Sequence, residues 1–134
     1  LASSNVKLIN CIKKDVSIWN INSFAEFYMQ IFNKYEKDYK KACNKFIIER
    51  TRFVERLRGV TYLRVIPSQA NFLMCEVDIK KFTSRELTQI LLNRFNILIK
   101  DCSTKKALKG KNMIRIAVRD AKDNDALVNA FKSL

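Results

Sequence analysis

The sequence is short of several residue types, and each shortage narrows what the chain can be. Among its 134 residues it has no histidine, two glycines and one proline, and half as many acidic as basic side chains. Without histidine, a nucleophile activated by histidine is excluded within the chain, and a zinc site is not expected. No apolar run reaches the length of a membrane span, so we expect no membrane segment. Because the chain does not begin with methionine, we expect it to be part of a longer protein.

The four cysteines, Cys11, Cys43, Cys75 and Cys102, are far apart and include no Cys-x-x-Cys pair. Two disulfides are possible in principle, but nothing in the sequence indicates secretion or a disulfide-dense scaffold. We therefore expect free, mostly buried thiols in a reducing cytoplasm. Cys102 would be reactive if it were exposed beside Lys100, although packing is its expected role.

The excess of basic side chains gives a formal net charge of +13, which ordinarily indicates an anionic partner. Nucleic acid is the obvious candidate, and a free-standing basic module that binds it or another polyanion is one hypothesis for the chain. Against it, the basic residues are spread along the whole chain, and no RNP, zinc-finger, KH or helix-turn-helix signature is present. The charge therefore favours nucleic acid only weakly.

The first 58 residues are predicted to form three helices. The first is short, and the second starts at Ser23 and is apolar nearly all round, which is typical of a helix covered on more than one side. In an isolated domain such a helix has no obvious partner, but the pattern alone favours an ordinary core helix equally. The third covers residues 34–58, where no glycine or proline interrupts it, and is about 36 Å long. Gly59 is predicted to end it in a left-handed conformation.

The rest of the chain alternates strands and helices. Strands are predicted at 60–65, 71–77, 97–99 and 113–118 from their apolar patterns. Thr83 and Glu86 form a capping box that starts a helix between the second and third strands, and a last helix starts near Asp120. This order predicts an α+β domain with a small, largely antiparallel sheet of about four strands, covered by helices on one face and preceded by the long helix.

Each of the last two strands carries a cation, Lys100 just after the first and Arg115 inside the second. Alternation places the apolar residues of the second strand on one face and Arg115 on the other. Two interpretations follow: a solvated outer face, or a planar fork held rigidly for a carboxylate or phosphate. From the spacing alone, the solvated face is favoured.

Residues 98–131, LIKDCSTKKALKGKNMIRIAVRDAKDNDALVNAF, resemble the C-terminal end of the class I/II pyridoxal-phosphate-dependent aminotransferases. They are most similar to the branch that holds histidinol-phosphate aminotransferase and threonine-phosphate decarboxylase. Further pieces occur in the family's order. Residues 18–22, IWNIN, resemble its P-W-x-V-N turn, and residues 67–73, PSQANFL, resemble its P-S-x-A-N-F-L strand entry. Asp123-Asn124 stands where the family usually has Glu-Asn.

The resemblance implies that residues 34–134 are the small C-terminal domain and that residues 1–33 pack on a large N-terminal domain or on a dimer partner. In the family, the Schiff-base lysine, the acid at the pyridine nitrogen and the donors around the cofactor phosphate lie upstream. The chain alone is therefore not expected to bind pyridoxal phosphate or to be active. The parent enzyme would be a cytoplasmic homodimer that acts on an amino acid and a 2-oxo acid. Ser103-x-x-Lys106 follows the wrong strand to supply the cofactor lysine.

The resemblance also implies roles for three cations. Arg115 occupies the position of the arginine that binds the substrate α-carboxylate. Lys100 stands where relatives that use phosphate esters carry an arginine for the substrate phosphate, and lysine supplies charge without the fork. Arg119 is a candidate second cation on the face of Arg115, at the end of the strand, where solvation is an equal alternative. A purely structural assembly domain, in which none of these residues matters, is a third hypothesis.

Overall fold

The computed structural model describes residues 4–15 and 21–134. Residues 18–20 of the IWNIN motif lie outside the described residues. The elements in chain order are α1 (Val6–Ile12), a 3₁₀ turn (Lys13–Asp15), α2 (Ser23–Arg58), β1 (Leu63–Ile66), β2 (Phe72–Val77), α3 (Ser84–Phe95), β3 (Lys100–Asp101), a second 3₁₀ turn (Lys106–Leu108), β4 (Met113–Ala117) and α4 (Ala121–Lys132). No helix in these two ranges combines the length and the apolar character needed to cross a bilayer.

The second and third predicted helices are in fact one helix, α2, of 36 residues. The prediction of a separate segment was wrong because nothing breaks the helix: its sequence contains neither glycine nor proline. Asn22 caps it, since its side-chain Oδ1 accepts a hydrogen bond from the Ala25 N–H at 2.9 Å. The helix ends at Arg58 as predicted, but Gly59 is not left-handed, because of the two glycines only Gly110 has a positive φ. A 3₁₀-type bond from the Gly59 N–H to the Arg56 carbonyl tightens the end instead.

The chain divides into two compact units, one ending at Lys41 and the other running from Ala42 to Leu134. In the first unit, none of the described residues is buried, although many are apolar. The second unit contains the sheet, α3, α4 and the C-terminal part of α2, and every residue that is buried among those described belongs to it. The hydrophobic core is therefore a property of residues 42–134.

The sheet has four antiparallel strands in the order β1-β2-β4-β3, which confirms the predicted α+β class. The prediction of a strand at 97–99 was wrong, because β3 is Lys100–Asp101. Asn96 caps α3 with a left-handed conformation, φ 55°, and the Ile97 N–H turns back to the carbonyl of Leu91. Because Asn96 and Ile97 bond back to the end of α3, the chain does not pair with β4 there, and strand pairing starts at Lys100.

The two faces of the sheet differ in burial, as the alternation predicted. One face packs on α2, α3 and α4 and forms the core, with these residues fully buried: Phe53, Leu57, Leu73, Cys75, Leu87, Leu91, Ile114, Val128 and Phe131. Burial raises the pKa of the Cys75 thiol to about 12, so this cysteine is a packing residue. The other face carries the half-buried Phe72 and Met74 and the exposed Arg115. The predicted capping box is confirmed, and Asp120 caps α4.

Candidate functional site

Arg115 lies in the middle of β4 on the open face of the sheet. Its side chain is exposed, whereas its neighbours Ile114 and Ile116 are buried, so the predicted orientation is confirmed. In the register of the sheet, Arg115 is opposite Met74 of β2 on one side and Lys100 of β3 on the other. Residues directly opposite each other in an antiparallel pair have Cβ atoms about 5 Å apart. The pairing therefore brings Lys100 and Arg115 together.

Neither of these two cations is neutralised by a carboxylate. Arg115 and Lys100 form no ion pair with an acidic side chain in the described ranges. Like charges directly opposite each other on two strands are mutually unfavourable. An anion placed between them would relieve this repulsion and accept charge-assisted hydrogen bonds from both. The arrangement is thus suited to a small anionic group.

The Arg115 guanidinium lies over the ring of Phe72, with its carbon 5.3 Å from the ring centroid. Phe72 opens β2 and is paired with Ala117, so it is the diagonal neighbour of Arg115 on the same face. The sequence interpretation missed this contact, because it depends on the pairing of β2 with β4, some forty residues apart in the chain. The signal available was the alternation of residues 71–77, which placed Phe72 on the face opposite to Leu73.

A groove, here called the Arg115 groove, runs beside these residues with a volume of about 750 Å³. Its lining combines the two cations with apolar and small side chains: Phe72, Thr88, Leu98, Lys100, Arg115 and Ala117. Leu98 is 74% exposed and contributes apolar surface to the groove. The groove therefore offers an anion site next to apolar surface.

Asp101 follows Lys100 in β3, but its carboxylate is occupied by neighbours. Oδ1 accepts hydrogen bonds from the Ser84 Oγ at 2.8 Å and from the Ser103 N–H at 2.9 Å, and Oδ2 accepts one from the Ser103 Oγ at 2.8 Å. Partial burial would raise the pKa of this carboxyl, but the hydrogen bonds from Ser103 and Ser84 outweigh it and hold the pKa below its ordinary value. Asp101 thus ties β3 to the start of α3.

Arg119, the third predicted cation, lies beyond the end of β4 and outside the Arg115 groove. Its Nε donates to the Asp123 Oδ2 at 2.5 Å, and this ion pair raises the pKa of the guanidinium. It borders a second groove, of about 340 Å³, together with Ile97, Leu98 and Asn124. The structure therefore brings Lys100 and Arg115 together and leaves Arg119 paired with an acid.

Asn124 of the Asp-Asn pair is buried and fully bonded. Its Oδ1 accepts from the Arg119 N–H at 3.0 Å, and its Nδ2 donates to the Arg119 carbonyl and to the Glu49 Oε1, each at 2.8 Å. Glu49 in turn accepts two bonds from Arg52, and those bonds hold the pKa of the Glu49 carboxyl below its ordinary value. This network fastens the turn after β4 to α2, and with it the C-terminal end of β4.

Arg50 lies on α2 and contacts the turn that precedes β2. Its Nη1 donates to the backbone carbonyls of Gln69 and Ala70, the latter at 3.1 Å, while its guanidinium lies 5.9 Å from the ring of Phe46. Arg50 thereby fixes the turn that leads into β2.

The residues around the Arg115 groove do not fit a pyridoxal-phosphate site. A Schiff-base lysine must be accompanied by an acid that holds the pyridine nitrogen and by donors for the cofactor phosphate. Asp101 is the acid that borders the groove, and its oxygens are occupied by Ser84 and Ser103.

Comparison with curated proteins gives relatives that are considerably longer than this chain. The chain is 28% identical over 133 residues to CMP-5'-(3-aminopropyl)phosphonate synthase of Streptomyces rubellomurinus, covering 99% of the chain and 21% of that protein. It is 32% identical over 119 residues to L-serine phosphate decarboxylase of Sulfurospirillum multivorans, covering 87% and 30%. It is 29% identical over 130 residues to histidinol-phosphate aminotransferase of Caldanaerobacter subterraneus, covering 96% and 34%. The chain thus spans a fifth to a third of these relatives. No family model matches it.

Solved structures give the same result for the fold. A decarboxylase from Sulfurospirillum multivorans superimposes with a TM-score of 0.82 and 30% identity, over 95% of this chain and 36% of that one. The histidinol-phosphate aminotransferase from Clostridium acetobutylicum superimposes with a TM-score of 0.69 and 29% identity, over 95% and 37%. Nearly all of this chain therefore corresponds to about a third of each of these enzymes.

Proposed function

We propose a function from the family to which this chain belongs, the fold-type I pyridoxal-phosphate-dependent aminotransferases and decarboxylases, whose C-terminal domain has the same fold. In a larger enzyme of this kind, Arg115 binds the α-carboxylate of an amino-acid substrate. The observation that carries the proposal is the adjacency of Arg115 and Lys100 on the open face of the sheet, with no acidic partner in the described ranges. The substrate carboxylate would supply the missing anion.

The contribution of this chain is binding and orientation. A guanidinium fork makes two parallel charge-assisted bonds to a carboxylate, each worth about 1.5 to 3 kcal/mol. Such a clamp restricts both the position and the rotation of the substrate. Less entropy is then lost on going from the bound substrate to the transition state, which favours reaction. Pyridoxal phosphate, when bound in such an enzyme, supplies the electron sink at the substrate α-carbon. Its lysine, acid and phosphate donors would come from outside the Arg115 groove.

Lys100 is proposed to bind a second anionic group of the substrate. It is opposite Arg115, so a substrate with two negative groups a few ångströms apart would place one on each cation. One relative is an L-serine phosphate decarboxylase by name, and a phosphorylated amino acid has that pattern of charge. Arg119, which is paired with Asp123, is proposed to add only to the positive potential at the end of the sheet.

The first unit, which ends at Lys41, is proposed to be covered by the remainder of the larger enzyme or by a second copy of it. Among its large apolar side chains, Phe24 is 83% exposed, Phe27 59% and Met29 55%. Exposed apolar residues in such number are typical of an interaction surface. Binding of a hydrophobic dye to the 134-residue chain and to the intact enzyme tests this: equal binding per chain would contradict it.

The substitution Arg115→Lys in the intact enzyme tests the main proposal. Lysine keeps the charge but loses one of the two parallel bonds, so the KM for the amino acid should rise roughly tenfold or more while cofactor binding is unchanged. Arg64→Lys is the matched control, because Arg64 is also an exposed arginine on the open face but is paired with Glu76. An unchanged KM in Arg115→Lys would remove Arg115 from the site.

A second experiment tests whether the intact protein is a cofactor enzyme at all. The native protein is reduced with borohydride, digested, and searched by mass spectrometry for a pyridoxyl-lysine peptide. A modified lysine outside residues 1–134 is the expected result. Absence of any pyridoxyl-lysine would mean that the fold is present without the chemistry, and the polyanion-binding hypothesis would then be tested by salt-dependent affinity for DNA or RNA.

A further inference from the structure

We infer that Phe72 is a positioning residue for Arg115: its ring holds the guanidinium at the Arg115 groove in the orientation that receives an anion. The inference rests on the proposed function of Arg115 as a carboxylate ligand. It goes beyond that proposal because it assigns a role to a side chain that carries no charge and makes no hydrogen bond to a substrate.

The geometry of the sheet places Phe72 within reach of Arg115. Pairing of Phe72 with Ala117 and of Met74 with Arg115 places Phe72 on the diagonal from Arg115, on the same open face. Diagonal neighbours in a sheet are within reach of aromatic and long side chains. The observed distance of 5.3 Å from the guanidinium carbon to the ring centroid is within the range of a cation–π contact.

Lys100 and Phe72 act on the Arg115 guanidinium from opposite sides. On the β3 side, Lys100 repels it, and on the β2 side the ring of Phe72 attracts it. Both effects move the guanidinium toward β2, away from the ammonium of Lys100. The space between the two cations is thereby kept open, and an anion can enter it without displacing either side chain.

The backbone of Phe72 is itself held in place by hydrogen bonds. The Ser68 Oγ donates to the Phe72 carbonyl at 2.8 Å, and the Val118 N–H donates to the Asn71 carbonyl at 3.0 Å. Arg50 binds the carbonyls of Gln69 and Ala70 in the same turn. These bonds fix the backbone that carries the ring. An arginine that rests on this ring has fewer rotamers to lose when it binds a ligand, so the contact favours binding.

A spectroscopic experiment on the 134-residue chain tests the contact independently of any enzyme activity. The Arg115 Nε–Hε resonance, assigned by its loss in Arg115→Lys, should be displaced by the ring current of Phe72. Phe72→Leu should remove the displacement, and Phe72→Tyr should keep it. Phe72→Met is a second variant without a ring, for use if the Phe72→Leu variant does not fold. A resonance that is the same in the wild type and in a folded variant without the ring would overturn the inference.

Kinetics of the intact enzyme tests the consequence. Phe72→Leu should raise the KM for the amino acid about two- to fivefold, as expected for an exposed cation–π contact, with a smaller change in kcat. Phe72→Tyr should restore the wild-type value. Phe82→Leu is the matched control, because Phe82 is also half-buried with a cation, Lys81, over its ring, but lies outside the Arg115 groove.

The outcomes separate the inference from the proposed function. A KM that rises in Arg115→Lys but not in Phe72→Leu overturns the inference and leaves the function of Arg115 standing. A KM that is unchanged in Arg115→Lys overturns both. A KM that rises equally in Phe72→Leu and Phe82→Leu also overturns the inference, because the effect would then reflect a general loss of stability.

Discussion

The two units of this chain contain similar apolar side chains but bury them to opposite extents. The contrast is clearest along α2, a single helix that belongs to both: Phe24 near its start is 83% exposed, and Phe53 near its end is 0% exposed. Both segments carry apolar side chains at helical spacing. Helical periodicity therefore shows which residues are available for burial, whereas burial itself requires a second layer. Among the described residues, the sheet, α3 and α4 provide that layer for residues 42–134.

The largest effect is expected from truncating the buried end of α2. Phe53→Ala removes a fully buried ring from the core and should lower the free energy of unfolding of the 134-residue chain by about 3 to 5 kcal/mol. Ile48→Ala is the control on the same helix, because Ile48 is 69% exposed and should change the stability by less than about 0.5 kcal/mol. Urea denaturation followed by circular dichroism measures both. Similar losses in the two variants would contradict the contrast in burial.

A smaller effect is expected at the start of α3, where the second unit depends on a local polar contact. Thr83 accepts a hydrogen bond from the Glu86 N–H at 3.1 Å, and Thr83→Ala should lower the free energy of unfolding by about 1 kcal/mol. The matched control is Thr51→Ala, since Thr51 lies on α2 and bonds only to the Ile47 carbonyl of the preceding turn. Denaturation midpoints that move equally in both variants would show that the cap contributes nothing specific.

A pH-dependent effect is expected in the network that joins α2 to α4. Hydrogen bonds from Arg52 hold the pKa of Glu49 below its ordinary value of 4.5, so the folded state stabilises the ionised form. The resulting stability is present above about pH 4.5 and is lost as the pH falls through the folded pKa. The Glu49→Gln variant should therefore be less stable than the wild type at pH 7. This loss of stability should be smaller than the loss in Thr83→Ala, and it should shrink below pH 4.5.

The control for this experiment is Glu36→Gln, because Glu36 pairs with Lys40 on the exposed part of α2. Its stability difference from the wild type should be small at every pH. A Glu49→Gln difference that stays constant from pH 7 to pH 3 would show that the carboxylate is not linked to folding.

The sequence predicted the features that local pattern determines. The alternation in β4 correctly placed Ile114 and Ile116 in the core and Arg115 outside it, and the Thr83 capping box was read directly from its spacing. These signals are local because each depends on residues within one strand or one helical turn. The class of fold followed from the order of the elements.

What the sequence did not predict depends on contacts between distant residues or on an unusual backbone conformation. The shift of β3 to Lys100 follows from the left-handed Asn96, a conformation uncommon outside glycine. The contact of Phe72 with Arg115 requires the register of β2 against β4, and the bonds of Arg50 require the turn before β2 to meet α2. Pairing across some forty residues leaves no signature in the local pattern.

The smallest effect on stability is expected at the exposed end of α2. Phe24→Ser exchanges an aromatic residue that is 83% exposed for a polar one of similar helix propensity, so the free energy of unfolding should change by less than about 0.5 kcal/mol. The same substitution should reduce binding of a hydrophobic dye to the 134-residue chain, because it removes exposed apolar surface. A loss of stability comparable to that of Phe53→Ala would mean that the first unit has a core of its own in solution, and the contrast between the two units would no longer hold.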